Sequence, residues 1–272
     1  MTKNLDDEGL RSVFFNYELF FIDLWGVVHN GIELHKNAIN TLSKITEAKK
    51  DYILLTNAPR PNKIVKIFLK KLGLDKSMRE KVFTSGEAAL GYLKKSCIDQ
   101  KFYHIGPPRD YDLFIDFKNK KTEDLNKSDY LLCTGLYDQH DQDLNYYKDL
   151  LRNFTHKKMV CTNPDLVVDR GKKREYCAGS VAMTFEKLGG EVIYFGKPYP
   201  EVYNQATNSN KKKIISIGDN LRTDIKGANN MNYDSLVITG GIHKKEFEKE
   251  GIEKVLKNYN VKATFSQSEL KW

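Results

Sequence analysis

The sequence predicts an α/β protein, a Rossmann-like parallel sheet interrupted by an inserted mixed α/β domain. Three observations carry that expectation. Short apolar runs such as Phe20-Phe21-Ile22, Tyr52-Ile53-Leu54-Leu55 and Ile214-Ile215-Ser216-Ile217 are bounded by turn residues, as strands buried on both faces are. Amphipathic stretches of helical length separate them, a rhythm that means βαβ units. The rhythm changes character over residues 99–191 and then resumes, which divides the chain into a discontinuous core, 1–98 with 192–272, and an insertion. At 272 residues the chain is long enough for both.

The first strand ends at Asp23, before the turn residue Gly26. Residues 36–50 place Ala38, Ile39, Leu42, Ile45 and Ala48 at helical spacing, and the strand Tyr52–Leu55 then ends in Thr56-Asn57. Pro59 and Pro61 break the chain before a helix with Ile64, Val65, Ile67, Phe68 and Leu72, closed by Gly73. Val82-Phe83 reads as a strand and Ser85 to Lys95 as a helix. In the insertion come a strand at Tyr130–Cys133, a helix over Asp141–Asn153 and a strand at Met159–Thr162. A long polar connection from Asn163-Pro164-Asp165 follows, then a helix from Val181 to Leu188. Val192–Phe195 resumes the core and ends in Gly196-Lys197-Pro198. A helix from Pro200 leads to Ile214–Ile217, which ends in Gly218-Asp219. A helix from Thr223, the strand Ser235–Ile238, the turn Gly240-Gly241 and a last strand near Ala263–Phe265 complete the pattern.

Composition fits a soluble globular chain, with 40% hydrophobic and 29% charged residues and no apolar run of the ~20 residues a membrane helix needs. Asp6, Asp7 and Glu8 stand where a secretory leader would be apolar, so a cytoplasmic protein is expected. Cys97, Cys133, Cys161 and Cys177 form no metal or redox pair and read as reduced core residues. The net charge of +8 raises nucleic acid as a partner. However, the lysines interleave with acidic residues, and the short clusters (Lys118 with Lys120-Lys121, Lys172-Lys173-Arg174, Lys211-Lys212-Lys213) match no nucleic-acid motif. The expected partner is a small anionic molecule, with neither nucleic acid nor membrane.

Strands ending in Asp23, Thr56-Asn57, Lys197 and Asp219 with Asp224 would bring these residues to one edge of a parallel sheet, where open α/β sheets form their crevices. Asp23 and Asp219 offer hard oxygen ligands for Mg²⁺. Thr56 and Asn57 can hydrogen-bond a phosphoryl oxygen, and Lys197 can neutralise charge on it and on an attacking carboxylate. Asp23 is then a candidate nucleophile. Taken singly, each has a plainer explanation: Thr56-Asn57 a turn, Lys197 one base among 44, Thr223-Asp224 a helix cap.

Four motifs, Asp23-Leu24-Trp25-Gly26-Val27-Val28, Leu55-Thr56-Asn57, Gly196-Lys197-Pro198 and Gly218-Asp219-Asn220-Leu221-Arg222-Thr223-Asp224-Ile225, together resemble the haloacid-dehalogenase-like superfamily, subclass IIA. Asn163-Pro164-Asp165 and Gly179-Ser180 are also similar to that subclass, which contains nitrophenyl-, nucleotide- and pyridoxal-phosphate phosphatases. The resemblance implies a cap inserted between the second and third motifs and a Mg²⁺-dependent phosphohydrolase of small phosphorylated metabolites. It also implies the backbone carbonyl of Trp25 and the carboxylate of Asp224 as metal-site groups, with Asp224 orienting Lys197 or a metal-held water. Arg60, Asn163 and Asp165 would join Thr56 and Asn57 in binding phosphate or substrate, the loop 163–179 would border the pocket, and caps of this kind often mediate homodimers.

One position departs from the pattern. Phosphatases of the superfamily carry a second aspartate two residues after the nucleophile, as proton donor and base, and this chain has Trp25. Loss of such a group costs roughly 10²–10⁴ in rate. Four readings stay open: good leaving groups that need no acid, replacement by His29 or a cap residue, slow hydrolysis, or a phosphate site kept for binding a ligand or partner. Carbon–halogen or carbon–phosphorus cleavage is a further alternative. Trp25 by itself is a packing residue beneath the cap.

Overall fold

The computed structural model describes residues 1–170, 173–207 and 213–272; Lys172 and Lys211-Lys212 of the basic clusters lie outside the described residues. In chain order the strands are β1 (Lys3–Asn4), β2 (Leu19–Ile22), β3 (Asp51–Thr56), β4 (Val82–Thr84), β5 (Phe102–Ile105), β6 (Tyr130–Cys133), β7 (Lys158–Cys161), β8 (Val167–Arg170), β9 (Lys173–Tyr176), β10 (Glu191–Tyr194), β11 (Ile214–Gly218), β12 (Asp234–Ile238) and β13 (Phe265–Gln267). The main sheet has the order β1-β13-β12-β11-β2-β3-β4, and every pairing in it is parallel. A second sheet, β10-β7-β6-β5, is parallel as well, and β8 and β9 form an antiparallel hairpin.

The central strands are mainly apolar because they are covered on both faces. Alternate residues of β2 point to opposite sides. Phe20 and Ile22 join a core with Ala38, Leu42 and Ile45 of helix Lys36–Glu47 and Val65 and Leu69 of helix Asn62–Lys71. Leu19 and Phe21 join another with Ala88, Ala89 and Leu93 of helix Ser85–Ser96. That second core continues into one face of the second sheet through Phe102, Tyr130, Leu132 and Val160. The sheet's other face, with Leu131, Cys133, Met159 and Cys161, packs on helices Leu144–Leu151 and Ala178–Lys187. The cysteines are free and buried. No helix among the described residues is long and apolar enough to cross a membrane.

Several sequence expectations need correction. The sequence pattern places Val192–Phe195 in the resumed core, with the insertion ending at 191. The strand is β10, paired with β7 in the second sheet through Val192↔Met159 and Ile193↔Val160. Helix Ala178–Lys187 supplies the crossover that a parallel neighbour requires, so the nearest partner wins over the distant core. The helix over Asp141–Asn153 is shorter, Leu144–Leu151, because the Asp143 carboxylate accepts the amides of Asn145 and Tyr146 and caps it. Ile67 is exposed, the inner stripe of its helix being Val65 and Leu69. The last strand lies at Phe265–Gln267, slightly later than expected. The hairpin β8–β9 falls within the stretch read as a polar connection.

Candidate active site

The carboxyl ends of β2, β3 and β11 are adjacent in the sheet, and their polar residues meet there. Asp23 directly follows β2, and its N–H donates to Ile217 O of β11 at 2.9 Å, which fixes the chain as it leaves the sheet. Asp219 follows β11. Asp224 lies in the π-helical turn Leu221–Ile225, where the Asn220 amide holds its Oδ2 at 3.0 Å. Carboxylate oxygens of Asp23, Asp219 and Asp224 lie within 4.8 Å of one another, all buried.

Lys197 reaches this cluster by another route than expected. It follows β10 of the second sheet, not a strand of the main one. Gly196, at φ +123°, turns the chain, and a Cβ there would lie 2.5 Å from Asn57 Oδ1. The Asn57 side chain then clamps the Lys197 backbone, accepting its N–H at 2.7 Å and donating to its carbonyl at 3.0 Å. The Lys197 ammonium donates to Asp23 Oδ1 and Asp224 Oδ1, both at 2.6 Å, and to Leu55 O at 2.8 Å.

This clamp revises the expectation for Asn57. Its Nδ2 also donates to Asp165 Oδ1 at 3.2 Å, so both of its amide protons are committed within the protein. Asn57 ties the second motif to the third instead of offering a donor to phosphate. Asp165 accepts from Asn220 Nδ2 as well, at 3.4 Å, while Asn163 Oδ1 accepts the Asp165 N–H at 2.9 Å. Arg60 lines the cavity, but its Nε is held at 2.8 Å by the buried carboxylate of Asp110. The exposed Lys173 pairs with Asp141 and Arg174 with Asp169, and neither lines the cavity.

Charge accounts for the chemistry of the cluster. Burial, then the neighbouring Asp224, raises the Asp23 carboxyl well above its usual range, against the pull of Lys197. Asp219 is pushed up to about 8 by burial and then by Asp224, and Asp165 up to about 6, chiefly by burial. Burial disfavours the Lys197 ammonium, but the charges of Asp224, Asp23 and Asp165 outweigh it and hold its pKa above the usual value. Three buried carboxyls share one ammonium, and the upward shifts of Asp23 and Asp219 mark a cluster short of positive charge. Hard oxygen donors, clustered and short of positive charge, fit a divalent cation.

The Gly240-Gly241 turn after β12, read from the sequence only as a turn, belongs to the site. The N–H of Ile242 holds Asp219 Oδ2 at 2.9 Å, and a Cβ on Gly241 would lie 2.0 Å from that oxygen. A Gly-Gly pair at the end of a strand beside Asp219 was the available signal. His29 does not read as an acid. Its Nδ1 accepts the Gly31 N–H at 3.0 Å, and burial pushes its pKa down to about 4, so the ring is neutral near pH 7. The indole of Trp25 packs edge-on against His29 and donates to Asp169 O of the hairpin at 2.7 Å.

Above the cluster is a cavity of about 700 Å³, lined from the main sheet by Trp25, Thr56 and Gly241 and from the second unit by Leu136, Val168 and Tyr176, among others. An open parallel sheet with carboxylates at its carboxyl edge, joined there by a lysine from the second sheet, is a doubly wound α/β arrangement with its site where such sheets place their ligands. The family model described as haloacid dehalogenase-like hydrolase matches residues 20–117, and a second, HAD-hydrolase-like, matches 194–261. Phosphoglycolate phosphatase 2 of Arabidopsis thaliana is 24% identical over 269 residues, covering 88% of each chain. The 5'-nucleotidase YutF of Bacillus subtilis is 24% identical over 246 residues, 88% of this chain and 93% of that protein. A crystal structure of a haloacid dehalogenase-like hydrolase from Brucella suis 1330 superposes with a TM-score of 0.84 at 28% identity, covering 96% of this chain and 98% of that one. The chain belongs to the haloacid-dehalogenase-like hydrolases, subclass IIA.

Proposed function

We propose that the protein is a Mg²⁺-dependent phosphatase of small phosphorylated metabolites, working through an aspartyl-phosphate on Asp23. The observation that carries this reading is the ammonium of Lys197 bridging Asp23 and Asp224 beside the buried Asp219. The names of the relatives, a phosphoglycolate phosphatase and a 5'-nucleotidase, point the same way. Asp23, Asp219 and Asp224, with the backbone carbonyl of Trp25, would hold the Mg²⁺, which when bound supplies positive charge for the phosphoryl oxygens.

Lys197 takes one oxygen of Asp23, favours its ionised form against burial and aims the carboxylate. In the first step a carboxylate oxygen of Asp23 bonds to phosphorus as the bond from phosphorus to the leaving oxygen breaks, and the electron pair goes with that oxygen. In the second, water bonds to phosphorus and the bond to Asp23 breaks, regenerating the carboxylate and releasing phosphate. The Thr56 hydroxyl offers a phosphoryl contact, and Arg60 would face substrate from the cavity wall while paired to Asp110. Asn163 and Asp165 shape the loop at the cavity edge. The second sheet with its hairpin, residues 99–194, would act as the cap that selects substrate.

With Trp25 in place of a carboxyl acid, departure unassisted by a proton favours acyl and aryl phosphates. The test is turnover of acetyl phosphate and p-nitrophenyl phosphate with Mg²⁺, with chelator, and with Asp23→Asn. Hydrolysis should require Mg²⁺ and vanish in Asp23→Asn. Absence of Mg²⁺-dependent turnover across a broad phosphate panel would leave the phospholigand-binding reading, which Trp25 favours.

A further inference from the structure

We infer that Trp25 is a positioning residue that, together with Arg174, fixes the β8–β9 hairpin as a rigid wall of the substrate cavity and so sets which leaving groups fit. The hairpin strands are antiparallel, with Val168↔Glu175 and Asp169↔Arg174 facing one another. Val167, Val168, Asp169, Glu175 and Tyr176 all line the cavity. A two-stranded hairpin is marginal by itself, so its placement must come from contacts outside it.

Two such contacts anchor it, Trp25 to Asp169 and Arg174 to Ile242, and a fork within the hairpin joins them. The Trp25 indole N–H donates to the backbone carbonyl of Asp169 at 2.7 Å, across 144 residues of sequence. The Arg174 guanidinium grips its carboxylate in a fork, Nε to Oδ1 at 2.7 Å and Nη2 to Oδ2 at 2.8 Å. The same Nη2 donates to Ile242 O at 3.0 Å. Ile242 N–H, in turn, holds Asp219 Oδ2 at 2.9 Å. A continuous path of hydrogen bonds therefore runs from Trp25, two residues after the nucleophile, through the hairpin to the carboxylate of Asp219. The ring of Trp25 is itself seated by its surroundings: a Cβ on Gly31 would lie 2.6 Å from the indole, and Gly31 sits at φ +87°. Only glycine leaves room there for the ring that reaches the hairpin.

Trp25 thus exchanges a proton-transfer group for a strut. The side chain at this position no longer titrates, but it anchors the wall against which a leaving group would rest. The inference builds on the phosphatase reading only for its kinetic arm.

Trp25→Phe keeps a ring and removes the N–H donor; Arg174→Gln, at an exposed position, removes the fork. With the purified full chain and Mg²⁺, amide hydrogen exchange in strands Val167–Arg170 and Lys173–Tyr176 should accelerate about fivefold in Trp25→Phe, the effect of one lost neutral hydrogen bond, and by at least about that much in Arg174→Gln, which loses the fork and the bond to Ile242. Exchange in the adjacent helix Ala178–Lys187, which neither substitution touches, should change by less than about twofold. The KM for p-nitrophenyl phosphate should rise by a similar factor of about five, with kcat falling less. An acceleration no larger than that in the helix overturns the inference, as does a faster hairpin with an unchanged KM. If Trp25→Phe does not fold, Arg174→Gln decides alone. If no phosphate is turned over at all, the exchange measurement still decides the strut, and only the phosphatase reading falls.

Discussion

Trp25 and His29 bear on how the leaving group obtains its proton. The indole donates to Asp169 O and cannot titrate, and burial keeps His29 neutral with its Nδ1 already accepting from Gly31. Neither is a carboxyl acid, so turnover should depend steeply on the basicity of the leaving group. Trp25→Asp should restore proton donation: kcat for an alkyl phosphate is expected to rise by about tenfold or more, toward the low end of what a positioned acid supplies. For acetyl phosphate, whose leaving group needs no proton, kcat should rise less, only as far as the same carboxylate activates the water of the second step. An equal change in both rates would show that residue 25 acts on something other than departure of the leaving group. KM is left out of this comparison because the same substitution removes the strut to the hairpin.

At the scale of elements, the loop carrying Thr56, Asn57 and Arg60 is held by the start of the helix that follows β4. The Thr84 hydroxyl accepts the Glu87 N–H at 2.9 Å as an N-cap and donates to Arg60 O at 2.7 Å, while Asn62 Oδ1 accepts the Thr84 N–H at 2.9 Å. Thr84→Ala should therefore cost about 1–2 kcal/mol, near the upper range for a lost cap, since a loop carbonyl loses its partner as well. Thr84→Ser should retain most of that, and urea unfolding of the two variants distinguishes them. A loss equal in both would place the effect in the packing of the methyl group. The strands β2, β3 and β11 and their polar ends were legible because buried parallel strands read as apolar runs that stop at the site. The path to Lys197 was not. The apolar residues of β10 fit either sheet, and pairing is decided by which edge is nearest, a tertiary fact. The β8–β9 hairpin was hidden by its charged residues, Asp169, Lys173, Arg174 and Glu175, which give no clean alternation of apolar and polar positions.

For the whole molecule, the question is what joins the two sheets over the cavity. Apolar contact does part of it, through the core shared by helix Ser85–Ser96 and Phe102, Leu132 and Val160. The ion pair Arg60–Asp110 does another part: it links the loop after β3 to the segment after β5, with Asp110 buried and Arg60 about 29% exposed. Burial raises the Asp110 carboxyl above its usual range, and Arg60 opposes that rise. Removing one partner of such a pair is the costly operation, because the remaining charge stays buried. Arg60→Met should thus destabilise by roughly 3 kcal/mol near pH 8, and Asp110→Asn, which leaves no buried charge, by less. The pH dependence has a definite sign. Without Arg60 the folded-state pKa of Asp110 rises further above its unfolded value, so the folded protein binds the extra proton. Stability is then present at low pH and lost as pH rises between the two values. Arg60→Met should accordingly be closer to the parent protein at pH 5 than at pH 8, in urea midpoints taken at both. A deficit that is the same at both would mean that Asp110 finds another cation when Arg60 is gone, and that the two sheets are joined by packing alone.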